Sequence, residues 1–248
     1  MPEPLILLSA AISPRQEYID ATRTSVPTRL TDPEIRLAQY LEAVSVWTAH
    51  ARSHGAKVVV VETSGTRTDE LSRQCELIGY EPSARQVAGG RGAIEAAALD
   101  YALEVLDPPE DAMLIKATGR LIVPNAFHAA SGLSRGVVRA RGKADRTFYD
   151  SRLIVTDVGT WRRNLTGMGQ QVADESGRWL ERVLAMRLME AEVLGKLTVE
   201  RFPVIPEFVG SSGTTGKRYT SRLDAVPGVR LVQRKAEGLL RRASRHFV

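Results

Sequence analysis

The chain has 248 residues, of which 43% are hydrophobic and 25% charged, with a formal net charge of +5 and a single cysteine. This is enough apolar material for one sizeable core, and it excludes a disulfide scaffold and any zinc or iron–sulfur centre built from cysteines. The positive balance gathers in the last stretch, RKAEGLLRRASRHFV, and points to an anionic ligand or membrane surface rather than to nucleic acid.

The start, MPEPLILLSAAISPRQ, carries an apolar run too short to cross a membrane and no basic leader. It reads as a first buried strand over Leu5 to Leu8, and a cytoplasmic protein is expected. Asp32 as cap and Pro33 in the first turn open a helix whose periodic residues are Ile35, Ala38, Leu41, Trp47 and Ala51, ending near Gly55. Lys57 to Val61 predicts a buried strand and Thr68 to Leu77 a helix. AGGRGAIEAAALDYALEVL then runs from a glycine-rich basic turn into a helix over Ile94 to Leu106, which Asp107-Pro108-Pro109-Glu110 stops. Gly89, Gly90 and Gly92 with Arg91 at such a helix start suit a phosphorylated ligand, although a glycine cluster alone is also an ordinary turn. Ala112 to Ile115 supplies the next strand. Alternation of this kind predicts an α/β fold with a mostly parallel central sheet flanked by helices. Ligands of such sheets lie beyond the carboxyl ends of the strands, which places Ser9, Glu62, Lys116, Thr118 and Arg120 on one rim.

The second half is less regular. Ser134 to Arg141 and Arg152 to Val158 read as strands, and Glu175 to Leu197 as a long amphipathic helix carrying Trp179, Val183, Met186 and Leu194. After the extended Phe202 to Pro206, the loop Gly210 to Lys217 lacks Walker A spacing and reads as a mobile segment or a lid. A catalytic domain over 1–200 is therefore expected, with an extension over 201–248 that ends in a basic amphipathic helix from Leu231. That helix suits either an anionic bilayer interface or packing on the main domain.

Several motifs occur in a fixed order: Ser9 at the end of strand one, Val-Glu-Thr-Ser at 61–64, Gly-Gly-Arg-Gly-Ala-Ile-Glu at 89–95, Ile-Lys-Ala-Thr-Gly-Arg at 115–120, Asn125, and Tyr-Asp-Ser-Arg at 149–152. Together they resemble bacterial sugar transferases with a nucleotide-diphosphosugar-binding fold of the GT-A type. The resemblance implies a nucleoside contact at Glu62, a donor contact at Arg91, and a central cleft at Lys116 to Arg120. It departs from the family at the Asp-x-Asp signature that usually holds a divalent metal, where this chain has Ala117-Thr118-Gly119. Lys116 and Arg120 can neutralise a diphosphate directly, so metal-independent transfer is expected and no cofactor is required. Magnesium or manganese stays open through Asp150 and Asp157.

The expected reaction moves a sugar from a nucleotide-sugar donor to the hydroxyl of a carbohydrate or lipid-linked acceptor, in cell-surface glycan or glycolipid synthesis. Arg91, Lys116 and Arg120 are candidates to meet the leaving diphosphate. Asp150 is the first choice of base among Asp150, Asp157, Asp174 and Glu175, while an Asp150–Arg152 loop brace, or helix caps at Asp174 and Glu175, are equally open readings. Ser9, Glu62, Gly90, Arg91, Gly92, Thr118 and Gly119 are candidate donor contacts; Asn125, Arg152 and Trp161, whose loop joins an aromatic face to two cations, are candidate acceptor contacts. A sugar-phosphate nucleotidyltransferase and a non-catalytic nucleotide-binding module are the alternatives. A methyltransferase would carry its glycine loop after strand one, where this chain has Ser9-Ala10-Ala11-Ile12-Ser13. His50 and His54 lack an HExxH context and read as surface residues, His128 as local packing, and Cys75 as structural.

Overall fold

A computed structural model describes residues 2–14, 30–211 and 218–219. Strands β1 (Leu5–Ala10), β2 (Lys57–Glu62), β3 (Glu76–Gly79) and β4 (Met113–Thr118) run parallel, in the order β3-β2-β1-β4. β7 (Tyr149–Asp157) pairs antiparallel with β4, and β6 (Val137–Gly142) and β8 (Thr198–Glu200) complete a seven-stranded sheet in which β7 alone is reversed. The unbroken apolar runs of β1 and β2 follow from burial on both faces. Leu5, Leu7, Val59, Val61 and Leu114 point to one cluster, Ile6, Leu8, Val58, Val60 and Ile115 to the other.

The first cluster is covered by α4 (Arg91–Leu106), α6 (Val158–Asn164) and α7 (Leu180–Val193), the second by α1 (Pro33–His54), α2 (Asp69–Ser72) and α5 (Ala126–Ala130). A short α3 (Ala84–Gly89) precedes α4. Asp32 caps α1 as expected, accepting from the backbone N–H of Glu34 and Ile35, and Gly55 ends it. A second sheet at the rim joins β5 (Leu121–Ile122), β9 (Val209–Ser211) and β10 (Arg218–Tyr219). The mostly parallel sheet flanked by helices is thus the architecture that the alternating pattern predicts.

Two elements differ from expectation. Residues 68–77 form only the single turn of α2 before β3, because Ile78 is buried and the backbone from Glu76 to Gly79 is taken up by pairing with β2. The long helix starts at Leu180 rather than Glu175; a 3-10 turn, Asp174–Ser176, and a left-handed Gly177 fill the space before it. The basic segment from Leu231, and residues 212–217 of the glycine-rich loop, lie outside the described residues. Residues 201–211 pack on the main body: Phe202 is buried, β9 pairs with β5, and the Asn125 amide donates to Ile205 O at 2.8 Å and accepts from Glu207 N at 3.0 Å. No described helix is long and apolar enough to cross a membrane.

Candidate functional site

The chain leaves β1 toward β2 on one side and reaches β4 on the other, so the carboxyl ends of β1 and β4 border the crevice where open α/β sheets bind ligands. Ser9 and Thr118 are register partners there. Gly119 follows, its N–H donating to Ser9 O at 2.9 Å. A Cβ on Gly119 would lie 2.7 Å from Ser9 O and 3.1 Å from the Tyr40 ring, so only glycine lets β4 close onto β1 before the chain turns out to Arg120.

Arg120 is 8% exposed, and its Nε and Nη1 find no hydrogen-bond partner among the described residues. Its guanidinium stands 5.6 Å from the centre of the Tyr40 ring. Two further arginines share this field. Arg36, on the first turn of α1, is buried and donates through Nε to Ala11 O at 2.6 Å and through Nη1 to Leu30 O at 2.9 Å. Burial holds its pKa below the ordinary arginine value; Tyr40 works against this, and Arg120 and Arg91 add to it by repulsion. Arg91 is likewise lowered, by burial first, against the attraction of Asp174, Glu181 and Glu95, and again with repulsion from Arg120. A buried polar group without partners costs stability, so the Arg120 guanidinium, with two nitrogens unpaired among the described residues, marks a place that suits an anion.

Lys116 is placed differently from the sequence reading. It is 1% exposed, its Nζ lies 2.6 Å from Glu95 Oε1, and it also donates to Ser151 O. Ser9 Oγ donates to the same Glu95 oxygen at 2.8 Å. Burial alone would raise the Glu95 carboxyl, but Lys116, Ser9 and Arg91 bring it below the usual carboxylate range. Lys116 is therefore half of a neutral pair beneath the rim, tying β4 to α4 and β7.

The glycine-rich helix start also departs from the expected phosphate cradle. The N–H of Gly90 donates to Val87 O and that of Ala93 to Gly90 O, while those of Arg91 and Gly92 are taken by the Asp174 carboxylate. The anion at this helix start is supplied by the protein itself. Gly90 has φ +95 and lies so close to Asp174 that a Cβ would overlap it, and a Cβ on Gly92 would lie 2.8 Å from Leu180 Cβ. Both glycines are accounted for by packing.

Glu62 is buried, and its oxygens accept from the backbone N–H of Ile12 at 2.9 Å and of Ser64 and Thr66 at 3.0 Å, and from Ser64 Oγ. It holds the turns that leave β1 and β2. Asp150 accepts from Arg152, through Nε at 2.8 and 3.0 Å, through Nη2, and through its backbone N–H at 3.0 Å. The Arg152 guanidinium also faces the rings of Phe208 at 4.4 Å and Tyr219 at 5.0 Å. The pair braces the rim sheet, as does Asn125.

Asp157 pairs with Met113, the first residue of β4, and caps α6 through Thr160 N and Oγ1, each at 2.7 Å. It stands at the opposite end of the sheet and cannot reach the crevice. Trp161 is a correction of the same kind: it is fully buried in α6, with Nε1 donating to Asp100 Oδ1 at 3.0 Å, and presents no face to an acceptor. Trp179 is partly exposed under Arg182, whereas Trp47 anchors α1 as expected and donates to Leu121 O at 2.8 Å. His54 stacks on Phe127.

Sequence reasoning missed Arg36, Tyr40, Glu95 and Glu181. Glu95 ends the quoted Gly-Gly-Arg-Gly-Ala-Ile-Glu run, and its i+4 spacing from Arg91 places both on one face of α4. Glu181 sits in the first turn of α7 and accepts from Ser151 Oγ at 2.8 Å. Among the described residues no three His, Cys, Asp or Glu side chains are grouped to hold a metal ion.

No family model matches the chain, and no curated protein does. Among solved structures it is similar to a protein assigned as a nucleotide-diphospho-sugar transferase from Desulfovibrio desulfuricans G20, at 12% identity and TM-score 0.47, over 82% of this chain and 80% of that one. It is also similar to the galactosyltransferase LgtC in complex with donor and acceptor sugar analogs, at 11% identity and TM-score 0.45, over 79% and 72%. A third similarity is to 4-diphosphocytidyl-2C-methyl-D-erythritol synthase, at 14% identity and TM-score 0.41, over 94% and 99%.

Proposed function

We propose that the chain is a glycosyltransferase that binds a nucleotide sugar across the β1/β4 crevice and passes its sugar to an acceptor hydroxyl, with the diphosphate held by Arg120 and its neighbouring arginines rather than by a metal. The observation that carries this reading is the buried guanidinium of Arg120, with two nitrogens unpaired among the described residues, at the switch point of the sheet. A leaving nucleoside diphosphate gathers negative charge as the sugar–oxygen bond breaks. A preorganised cation in a crevice shielded from water is worth most at that moment.

The donor set does not suit a divalent cation. Glu62, Glu95, Asp150 and Asp174 are each engaged by amides or cations, and the arginine trio would repel a second positive charge. In this reading the electrostatic function that a metal would serve falls to side chains.

Calorimetry with a panel of nucleoside diphosphates and their sugars, in the presence of a chelator, tests both parts. Binding is expected for at least one nucleotide and is expected to survive chelation. It should weaken at least tenfold in Arg120→Ala, since a charge-assisted contact contributes about 1.5–3 kcal/mol. Absence of binding by any of them to the folded protein removes the reading, and strict dependence on magnesium or manganese removes the metal-free version.

A further inference from the structure

Arg91 is repelled by Arg36 and Arg120 and attracted by Asp174, Glu181 and Glu95. The start of its helix is held by contact. Gly90 abuts Asp174 and Gly92 abuts Leu180, so the start of α4 is wedged between the 3-10 turn and the start of α7. The Lys116 bond to Ser151 O and the Ser151 Oγ bond to Glu181 connect the start of α7 to the floor of the sheet.

The carboxylates here differ in how many hydrogen bonds they already accept. Asp174 takes two backbone amides, Asp150 is gripped by Arg152, Glu95 serves Lys116 and Ser9, and Glu62 serves the turns beyond β1 and β2. Each of these carboxylates is thus committed to holding a neighbouring part of the fold. Glu175 is solvent-exposed. Glu181 is neither saturated nor fully exposed: among the described residues it accepts one side-chain hydrogen bond, on Oε1, which orients the side chain and leaves Oε2 outside that bond.

Resting on the transferase reading above, we propose that Glu181 is the catalytic base, receiving the proton of the attacking hydroxyl on Oε2, and that Ser151 is its positioning residue. In the step, the acceptor O–H bond breaks and its proton goes to Glu181. The acceptor oxygen forms the new bond to the anomeric carbon. The bond from that carbon to the diphosphate oxygen breaks, and its electron pair leaves with the nucleoside diphosphate toward Arg120. Water can replace the acceptor in the same step, giving free sugar and nucleoside diphosphate. Negative charge thus develops toward Arg120 while the proton is received by Glu181.

The test uses the full chain and the nucleotide sugar that binds best in the panel, with water as acceptor and release of nucleoside diphosphate as readout. Glu181→Gln keeps size and the bond from Ser151 but cannot accept the proton at this pH. It should lower turnover at saturating donor at least a hundredfold, leave calorimetric donor affinity within about threefold, and abolish the acidic limb of the pH–rate profile. Glu181→Ala should recover turnover on addition of formate, which supplies a diffusible carboxylate. Ser151→Ala should lower kcat with KM unchanged and keep the acidic limb. Glu190→Gln, an exposed change further along the same helix, should match the wild type, and melting curves confirm folding of each variant. Wild-type turnover with an unchanged acidic limb in Glu181→Gln would overturn the assignment while leaving the donor site intact. A wild-type chain that binds the donor without releasing nucleoside diphosphate would overturn the assignment as well, and one that binds no nucleotide would overturn it together with the reading beneath it.

Discussion

At the scale of single residues the crevice is dominated by one unsatisfied cation. Arg120 has a planar fork of donors, and the two nitrogens unpaired among the described residues, Nε and Nη1, lie on different edges of that plane and can each serve an anionic oxygen. Arg120→Lys keeps the charge but loses the fork. At saturating donor it is expected to restore only part of the roughly hundredfold loss in turnover, about 3 kcal/mol, predicted for Arg120→Ala. Full recovery by lysine, measured as nucleoside diphosphate release, would reduce Arg120 to a point charge. The sequence marked this residue through its place after a glycine at a strand end. It could not mark Arg36, because a helical arginine near a proline reads as solvated surface until the fold lays α1 across the crevice. Lys116 was misleading for the converse reason: its neutralising partner is 21 positions away on another element, beyond the reach of local spacing.

Elements show a similar division. Long, strongly patterned segments such as β1, α1, β2 and α4 were legible because burial on two faces or one stripe imposes its own periodicity. β3 was not, since a four-residue edge strand carries too little pattern to compete with a helical reading of Thr68 to Leu77. The glycine-rich turn was legible as a special backbone but not as to its purpose. Its tight contacts come from Asp174 and Leu180, which reach it from the far half of the chain. Glycine at 119 gives a sharper expectation. A methyl group there would press on Ser9 O and on Tyr40, and backbone has little freedom to retreat. Gly119→Ala should cost about 1–3 kcal/mol of folding stability, read from denaturant midpoints, and weaken donor binding by parting β4 from β1. A variant as stable as the wild type would mean that the β1–β4 junction yields.

For the whole molecule, the Glu95–Lys116 pair links stability to acidity. Because the folded state holds the Glu95 carboxyl below its ordinary value, the pair contributes stability above the unfolded-state carboxylate pKa. That contribution is lost as pH falls through the lowered folded value. Glu95→Gln leaves a buried ammonium without its counter-charge and should cost about 3–5 kcal/mol near neutral pH. The deficit relative to the wild type should shrink as pH drops into the range where the wild-type carboxyl also protonates. Urea unfolding of both chains across the acidic range measures this, and a deficit that stays constant with pH would break the link. The domain boundary expected at residue 200 is a related case of scale. Composition changes there, yet Phe202, Asn125 and the β5–β9 pairing tie the next ten residues into the main body.

That last pairing also orders events during synthesis. Leu121 meets Gly210 and Ile122 meets Val209, so the wall beside Arg120 waits on residues made almost ninety positions later. All three crevice arginines, by contrast, leave the ribosome within the first half of the chain. The crevice is therefore closed on that side only when the last described strands emerge, so a chain cut before Val209 would keep its arginines and lack the wall beside them.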